Sequence, residues 1–166
     1  MPHDVGQLFR QYHAPLVRML QRRTGDVERA REIAQETFAR AVEAPPTNPR
    51  PWLFAVALNL VREDARREKT RGRRLTLLRN ELPTSSPAPD HDIEREERRA
   101  SVRRALAQLS ERDREALLLK AEGFSYDEIA TSLGMARGAI GTTLARARKK
   151  LVEAYRAQEP RTNAAS

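Results

Sequence analysis

Gly123-Phe124-Ser125-Tyr126-Asp127-Glu128-Ile129-Ala130-Thr131-Ser132-Leu133-Gly134 is the stretch on which the reading of the fold turns. Ser125 followed three residues later by Glu128 has the pattern of a capping box, in which two orphan backbone N–H groups are satisfied reciprocally. Phe124 and Ile129 occupy the staple positions around it. The predicted helix is short and stops at Gly134, where a residue able to take positive φ is needed. A second helix is predicted to begin close to Arg137 and to carry Ile140, Leu144, Ala147 and Leu151 inward. Two short helices joined by a tight Gly turn form a helix-turn-helix, with small Ala130 where they cross and Ile129, Leu133 and Ile140 buried.

The outward face of the second helix decides between a structural turn and a DNA reader. From Arg137 to Lys150 there are five bases (Arg137, Arg146, Arg148, Lys149, Lys150) and no acid. A recognition helix enters the major groove with its N-terminal residues at base edges. That assigns base contacts to Arg137, Gly138, Ala139, Thr142 and Thr143, and phosphate contacts to Arg146, Arg148 and Lys149. On the first helix of the motif, Tyr126 is a candidate phosphate donor, with Ser125 beside it in the same DNA-facing set; the plainer reading of Tyr126 is a surface tyrosine.

Upstream of the motif, Ser110 is placed to cap a helix that ends at Gly123, and Val102, Ala105, Leu106 and Leu109 form the stripe of the helix before it. The N-terminal half is helical too. Val5, Leu8, Phe9, Tyr12, Leu16, Met19 and Leu20 recur at helical spacing, with Pro15 predicting a kink or break and Gly25 a stop. Asp26 reads as the cap of a second helix whose inner face is Ala30, Ile33, Ala34, Phe38 and Ala41, and whose outer face is charged. Residues 44–51 hold four prolines and read as a loop. A third helix is expected from about Trp52 to Arg74, apolar at Trp52, Leu53, Val56, Ala57 and Leu60 and basic further on. Beyond it, Pro83, Ser85, Ser86, Pro87 and Pro89 exclude regular structure in the middle of a linker from about Leu75 to Ile93, and from Glu81 to Glu97 six acids face one base. The expected architecture is therefore all-α: a helical bundle over 1–74, a flexible acidic linker over 75–93, a second small helical domain over 94–156, and a disordered tail over 157–166.

Composition narrows the function classes. A formal net charge of +8 on 166 residues points to a polyanionic partner, nucleic acid before an anionic membrane. Aromatics at 5% and charged residues at 33% suit helical bundles with small cores. The absence of cysteine excludes disulfides and thiolate metal sites. His3, His13 and His91 lack metal-ligand spacing, Gly-rich phosphate loops are absent, and Ser85-Ser86 has no nearby base. No catalytic residue, metal or cofactor is expected. The start lacks a signal-peptide layout and no apolar run approaches ~20 residues, so a soluble, cytoplasmic protein without membrane insertion is expected.

Both halves resemble one family, the extracytoplasmic-function sigma factors of the sigma-70 superfamily. Region 2 is matched by Leu8 to Leu16, by Asp26 through Gln35-Glu36-Thr37-Phe38, and by Pro49-Arg50-Pro51-Trp52-Leu53-Phe54 with Asn59. Region 4 is matched by Leu109 to Glu115, by Gly123 to Ala130, by Leu133-Gly134 and by Arg146-Ala147-Arg148. The resemblance implies a factor that binds core RNA polymerase and directs promoter recognition and melting, with an anti-sigma factor as a further partner it allows. It implies a polymerase-binding surface at Glu32, Gln35, Glu36 and Phe38, which Arg40 on the same helix extends. It implies a minus-ten reader in the loop and at the start of the Trp52 helix (Thr47, Asn48, Arg50, Trp52, Asn59), with Arg62, Arg66 and Arg67 on the DNA backbone, and a flipped base at melting. Trp52 is also well spaced for core packing. The second helix-turn-helix helix resembles the minus-thirty-five reader. The sequence departs from the family where Arg29 and Arg31 replace acids, where Ala55 and Leu58 replace bases, where Glu63-Asp64 adds acids, and where Gly141 and Thr143 replace a Lys and an Arg.

A stand-alone helix-turn-helix regulator with a dimerising or sensing N-terminal half is the alternative, and binding to DNA without polymerase would distinguish it. An enzyme lacks a supporting constellation, and an adaptor or anti-sigma protein leaves two basic faces unexplained.

Overall fold

The computed structural model describes residues 4–71 and 90–158. Among the described residues the regular structure is entirely helical: α1 (Val5–Thr24), α2 (Val27–Glu43), α3 (Pro49–Arg71), α4 (Asp90–Ala107), α5 (Glu111–Ala121), α6 (Tyr126–Leu133), a 3-10 turn (Arg137–Ala139) and α7 (Ile140–Ala157). The chain divides into two compact units, Met1–Glu96 and Glu97–Ser166.

In the first unit α1, α2 and α3 pack on one another. The Asp4 carboxylate caps α1 by accepting from the Gly6 N–H at 3.0 Å. Gly25, at φ 75°, closes that helix, and the Asp26 carboxylate opens the next by accepting from the Arg29 N–H at 3.1 Å. The expected break at Pro15 does not occur, and α1 runs through it. Proline removes one helical hydrogen bond there, but Leu16, Met19 and Leu20 just beyond it are fully buried, so packing keeps the second half of the helix in line.

The third helix starts earlier than the sequence suggests. Pro49 and Pro51 lie in its first turn, where a missing N–H costs nothing, and the Asn48 carbonyl accepts from the Trp52 N–H at 3.3 Å. Its buried residues are Pro51, Leu53, Phe54, Ala57, Leu58 and Val61, whereas Trp52, Val56 and Leu60 are half-buried. Apolar residues cover more than one side of this segment, so periodicity could not choose the inward face. Each fully buried Leu or Phe contributes about 1.5–3 kcal/mol, and α3 supplies three such side chains.

In the second unit α5 packs on α6 and α7, and α6 on α7. Ala105, Leu106 and Leu109 close the core from the α4 side. Arg104 Nε donates to Gln158 Oε1 at 3.1 Å, and Gln158 Nε2 donates to the Ser101 carbonyl at 3.0 Å, tying α4 to the end of α7. Val102, expected inside, is exposed, because the buried stripe is carried by 105, 106 and 109. α4 begins at Asp90, inside the span read as linker. Asp92 and Glu94 place negative charge near its N-terminal end, where the helix dipole favours it. The rest of the expected linker, the expected end of the third helix at 72–74 and the tail after 158 lie outside the described residues.

Candidate nucleic-acid interface

The helix-turn-helix forms, with Leu133 and Leu151, expected inside, only half-buried. Ser125 Oγ accepts from the Glu128 N–H at 3.1 Å, and Glu128 Oε1 accepts from the Ser125 N–H at 3.0 Å, so both halves of the capping box are closed. Gly134 sits at φ 63° and its N–H, with that of Met135, reaches back to the Ala130 carbonyl. Phe124, Ile129, Ile140, Leu144 and Ala147 are fully buried, with Ala130 at the margin of the core.

Arg137, Gly138 and Ala139 lie on the 3-10 turn that precedes α7, so the α-helix proper starts later than expected. All three are exposed, and so is Thr142. Arg137 Nε pairs with Asp127 Oδ1 at 2.6 Å. Both partners are largely in solvent, so the pair adds little stability. Arg148 and Lys149 are exposed further along α7. Tyr126 lies at the rim with Lys120 Nζ 5.4 Å from its ring centre. The Tyr126 ring edge also lies 3.6 Å from the point where a Cβ on Gly141 would stand.

Two assignments on α7 are corrected. Thr143 is 4% exposed, on the inward face beside Leu144 and Ala147, and has no access to a base. Arg146 is engaged by Asp113 of α5, a carboxylate only 1% exposed. Arg146 Nη2 donates to Asp113 Oδ1 at 2.7 Å and Nε to Oδ2 at 3.3 Å, with Lys150 Nζ at 3.9 Å. The guanidinium holds the Asp113 carboxyl below its ordinary range against the opposing effect of burial, and the Arg146 pKa is raised in return. The sequence did not show this pair. Asp113 stands three residues after Ser110 and reads as an ordinary first-turn acid, while its partner lies 33 residues away.

In the first unit Glu32, Gln35, Glu36 and Arg40 are exposed on α2, with Glu36 and Arg40 3.4 Å apart. Phe38 does not join them. It is 5% exposed and packs edge-on to Phe9 at 5.1 Å, while Phe9 stacks on His13 at 4.3 Å. Its position in the inner stripe decides this: at helical spacing it follows Ala34 and precedes Ala41. On α3, Trp52, Asn59, Arg62 and Arg66 recur on one side, and Arg62 Nη1 donates to Asn59 Oδ1 at 2.7 Å. Arg67 leaves this set and lines the cleft between α2 and α3 with Glu32, Glu36 and Arg40. Thr47 and Asn48 are exposed in the preceding loop and Arg50 is half-buried.

In the same cleft Arg29 of α2 donates to Asp64 of α3 through Nε and Nη2, and to Glu32 through Nη1 at 2.6 Å. The contact with Asp64 is the main reason the Arg29 pKa is raised. Two of the departures seen in the sequence, a base at 29 and an acid at 64, thus face each other as one ion pair. Among the described residues no group of His, Asp and Glu is placed to hold a metal, and no helix is long and apolar enough to cross a membrane.

Family models match both halves: "Sigma-70 region 2" over residues 8–71 and "Sigma-70, region 4" over residues 99–151. The chain belongs to the extracytoplasmic-function sigma factors of the sigma-70 family. The Bacillus subtilis RNA polymerase sigma factor YlaC is 30% identical over 160 residues, covering 89% of this chain and 90% of its own. The ECF sigma factor EcfG of Rhodopseudomonas palustris is 36% identical, with 77% and 72% covered. The solved structure of CnrH, in complex with the cytosolic domain of CnrY, matches at 27% identity and a TM-score of 0.64, covering 93% of this chain and 89% of that one. The fold also matches a Bartonella quintana sigma factor RpoE, solved with the anti-sigma factor NepR, at 24% identity and a TM-score of 0.63, with 93% and 98% covered. This sigma factor directs promoter recognition with core RNA polymerase. The region 2 match occupies the half that a stand-alone regulator would devote to dimerisation or sensing, so that alternative is not favoured.

Proposed function

We propose that the sigma factor divides its work between two surfaces, polymerase binding and minus-ten opening on residues 1–74, and upstream-element reading on residues 94–156. Glu32, Gln35, Glu36 and Arg40 grip the polymerase. Thr47, Asn48, Arg50, Trp52 and Asn59 engage the melted strand, with Arg62 and Arg66 on its backbone. Arg137, Gly138, Ala139 and Thr142 read upstream bases, and Tyr126, Arg148 and Lys149 hold phosphates. Residues 75–89 connect the two halves, with α4 already begun at Asp90. The factor works in the cytoplasm, catalyses nothing itself, and is a target for an anti-sigma partner, as the Bartonella quintana RpoE is in its complex with the anti-sigma factor NepR.

The observation that carries this reading is the split in character along α2. Its inner stripe is fully committed to the bundle, while Gln35, Glu36 and Arg40 are exposed and Glu32 is joined only to the Arg29 that also binds Asp64. Glu36→Arg reverses one charge there and leaves the packed stripe untouched. In a pull-down with purified core polymerase, this variant should lose most of its binding while retaining the wild-type helical spectrum. Undiminished binding removes α2 from the interface.

A further inference from the structure

α7 and the turn before it carry five of the bases on which DNA binding rests, and Arg146 is held by the protein through a carboxylate only 1% exposed. Arg146 lies near the middle of the helix and its guanidinium is laid fork-on against Asp113, whose two carboxylate oxygens are each taken by a different guanidinium nitrogen. Such two-point contacts fix direction as well as distance, which a single-point ammonium cannot do. Lys150, one turn further along α7, adds its charge at 3.9 Å from the same carboxylate. On the other side Asp113 is anchored in the first turn of α5, where its own N–H donates to the capping Ser110 Oγ at 3.2 Å. Asp113 is only 1% exposed, so no phosphate can replace it without opening the contact between α5 and α7.

We propose that Asp113 and Arg146 are a positioning pair: they fix the rotation and tilt of α7 against α5, and so set which side chains of the turn and of α7 meet the bases. Arg146 therefore acts on DNA through Asp113 and not as a phosphate ligand. The apolar contacts of α7 (Ile140, Leu144, Ala147) hold the helix to the core. The fork adds a directional constraint to that packing. A few degrees of roll at the middle of α7 displaces Thr142 and the Arg137 turn at its start, and base contacts fail on displacements that phosphate contacts survive. Salt dependence separates the two roles. A base on a phosphate releases about one counterion when it binds, whereas an arginine already neutralised by a buried acid releases none.

The inference rests on the reading of α7 as the upstream-element reader, and the test distinguishes its failure from the failure of that reading. Full-length protein is assembled with core polymerase and promoter binding is measured on the preferred upstream element and on a mismatched one, across a series of salt concentrations. The variants are Arg146→Lys, Arg146→Gln, Asp113→Asn, the Asp113→Asn/Arg146→Gln double, and Arg148→Ala as the phosphate control. Arg146→Lys keeps the charge and loses the fork. A positioning pair predicts that it loses about tenfold of the preference for the correct element. Asp113→Asn and Arg146→Gln should match that loss, and the double variant should be no worse than either single. The salt slope should stay at the wild-type value for Arg146→Gln and fall by about one for Arg148→Ala. The proposal is overturned if Arg146→Lys behaves as wild type while Arg146→Gln lowers the salt slope by about one, since Arg146 is then a phosphate contact. It is also overturned if the variants melt earlier yet keep the full preference, since the pair is then only a stabilising bridge. Wild-type protein that shows no preference between the two elements rejects the α7 reading itself, and the inference with it.

Discussion

Gly141 and Asp113 show how far a single residue's role depends on what lies across from it. Gly141 departs from its family and costs helix stability, but the structure gives it room: a Cβ there meets only the Tyr126 ring edge, at an ordinary 3.6 Å. Gly141→Ala should therefore raise stability by about 0.5 kcal/mol, at the lower end of the usual gain because the site lies in the first turn of α7. A rise in melting temperature checks it, and a fall would show that the Tyr126 ring cannot accept the methyl. Asp113 carries a pH signature. Its folded pKa is lowered from the ordinary 3.8 by Arg146, so the stabilisation is present above the unfolded value and is lost as pH falls through the folded one. Thermal melts of wild type and Asp113→Asn should differ at neutral pH, with wild type the more stable. The difference should close only below pH 3.8. A gap that persists unchanged into that acid range would contradict the ion pair.

Elements were more legible in the sequence than sites were. The capping box, the staple and the Gly134 turn are local signals, each spanning a handful of residues; the structure forms the capping box and the turn and buries both staple residues. Ser125→Ala should cost roughly 1 kcal/mol, seen as an earlier melt of the second unit, because it opens the capping box. No change would mean that packing of Phe124 and Ile129 alone holds α6. Helix starts were harder to read: Pro49 and Pro51 looked like loop residues because proline is punctuation everywhere except in the first turn. The site residues that moved did so for non-local reasons. Thr143 is on an inward face that a neighbouring helix defines, Arg146 is taken by an acid 33 residues away, and Arg67 turns toward α2, whereas the inner stripe read from the sequence already contained Phe38. Spacing along one helix tells which residues share a side; only the packing partner tells which side is outside.

At the scale of the whole chain, charge and family agree on the kind of partner, while the ion pairs redistribute that charge. The formal +8 is not spread evenly over the candidate DNA faces. Arg146 is neutralised by Asp113 and Arg29 by Asp64, and Arg137 is shared with Asp127. What remains for DNA on the second unit is a short set of exposed groups at the start of the reader, with Arg148 and Lys149 behind them. That layout predicts selectivity carried by two separate blocks of promoter sequence, each read by its own unit and neither readable without polymerase. The most direct measurement is transcription from a template library randomised through both promoter elements, with core polymerase, with the sigma factor, and with the two together. Transcripts enriched in two blocks of fixed spacing, obtained only from the combined reaction, are the predicted result. Enrichment of a single block, or selection of the same templates by the protein without polymerase, would contradict the account.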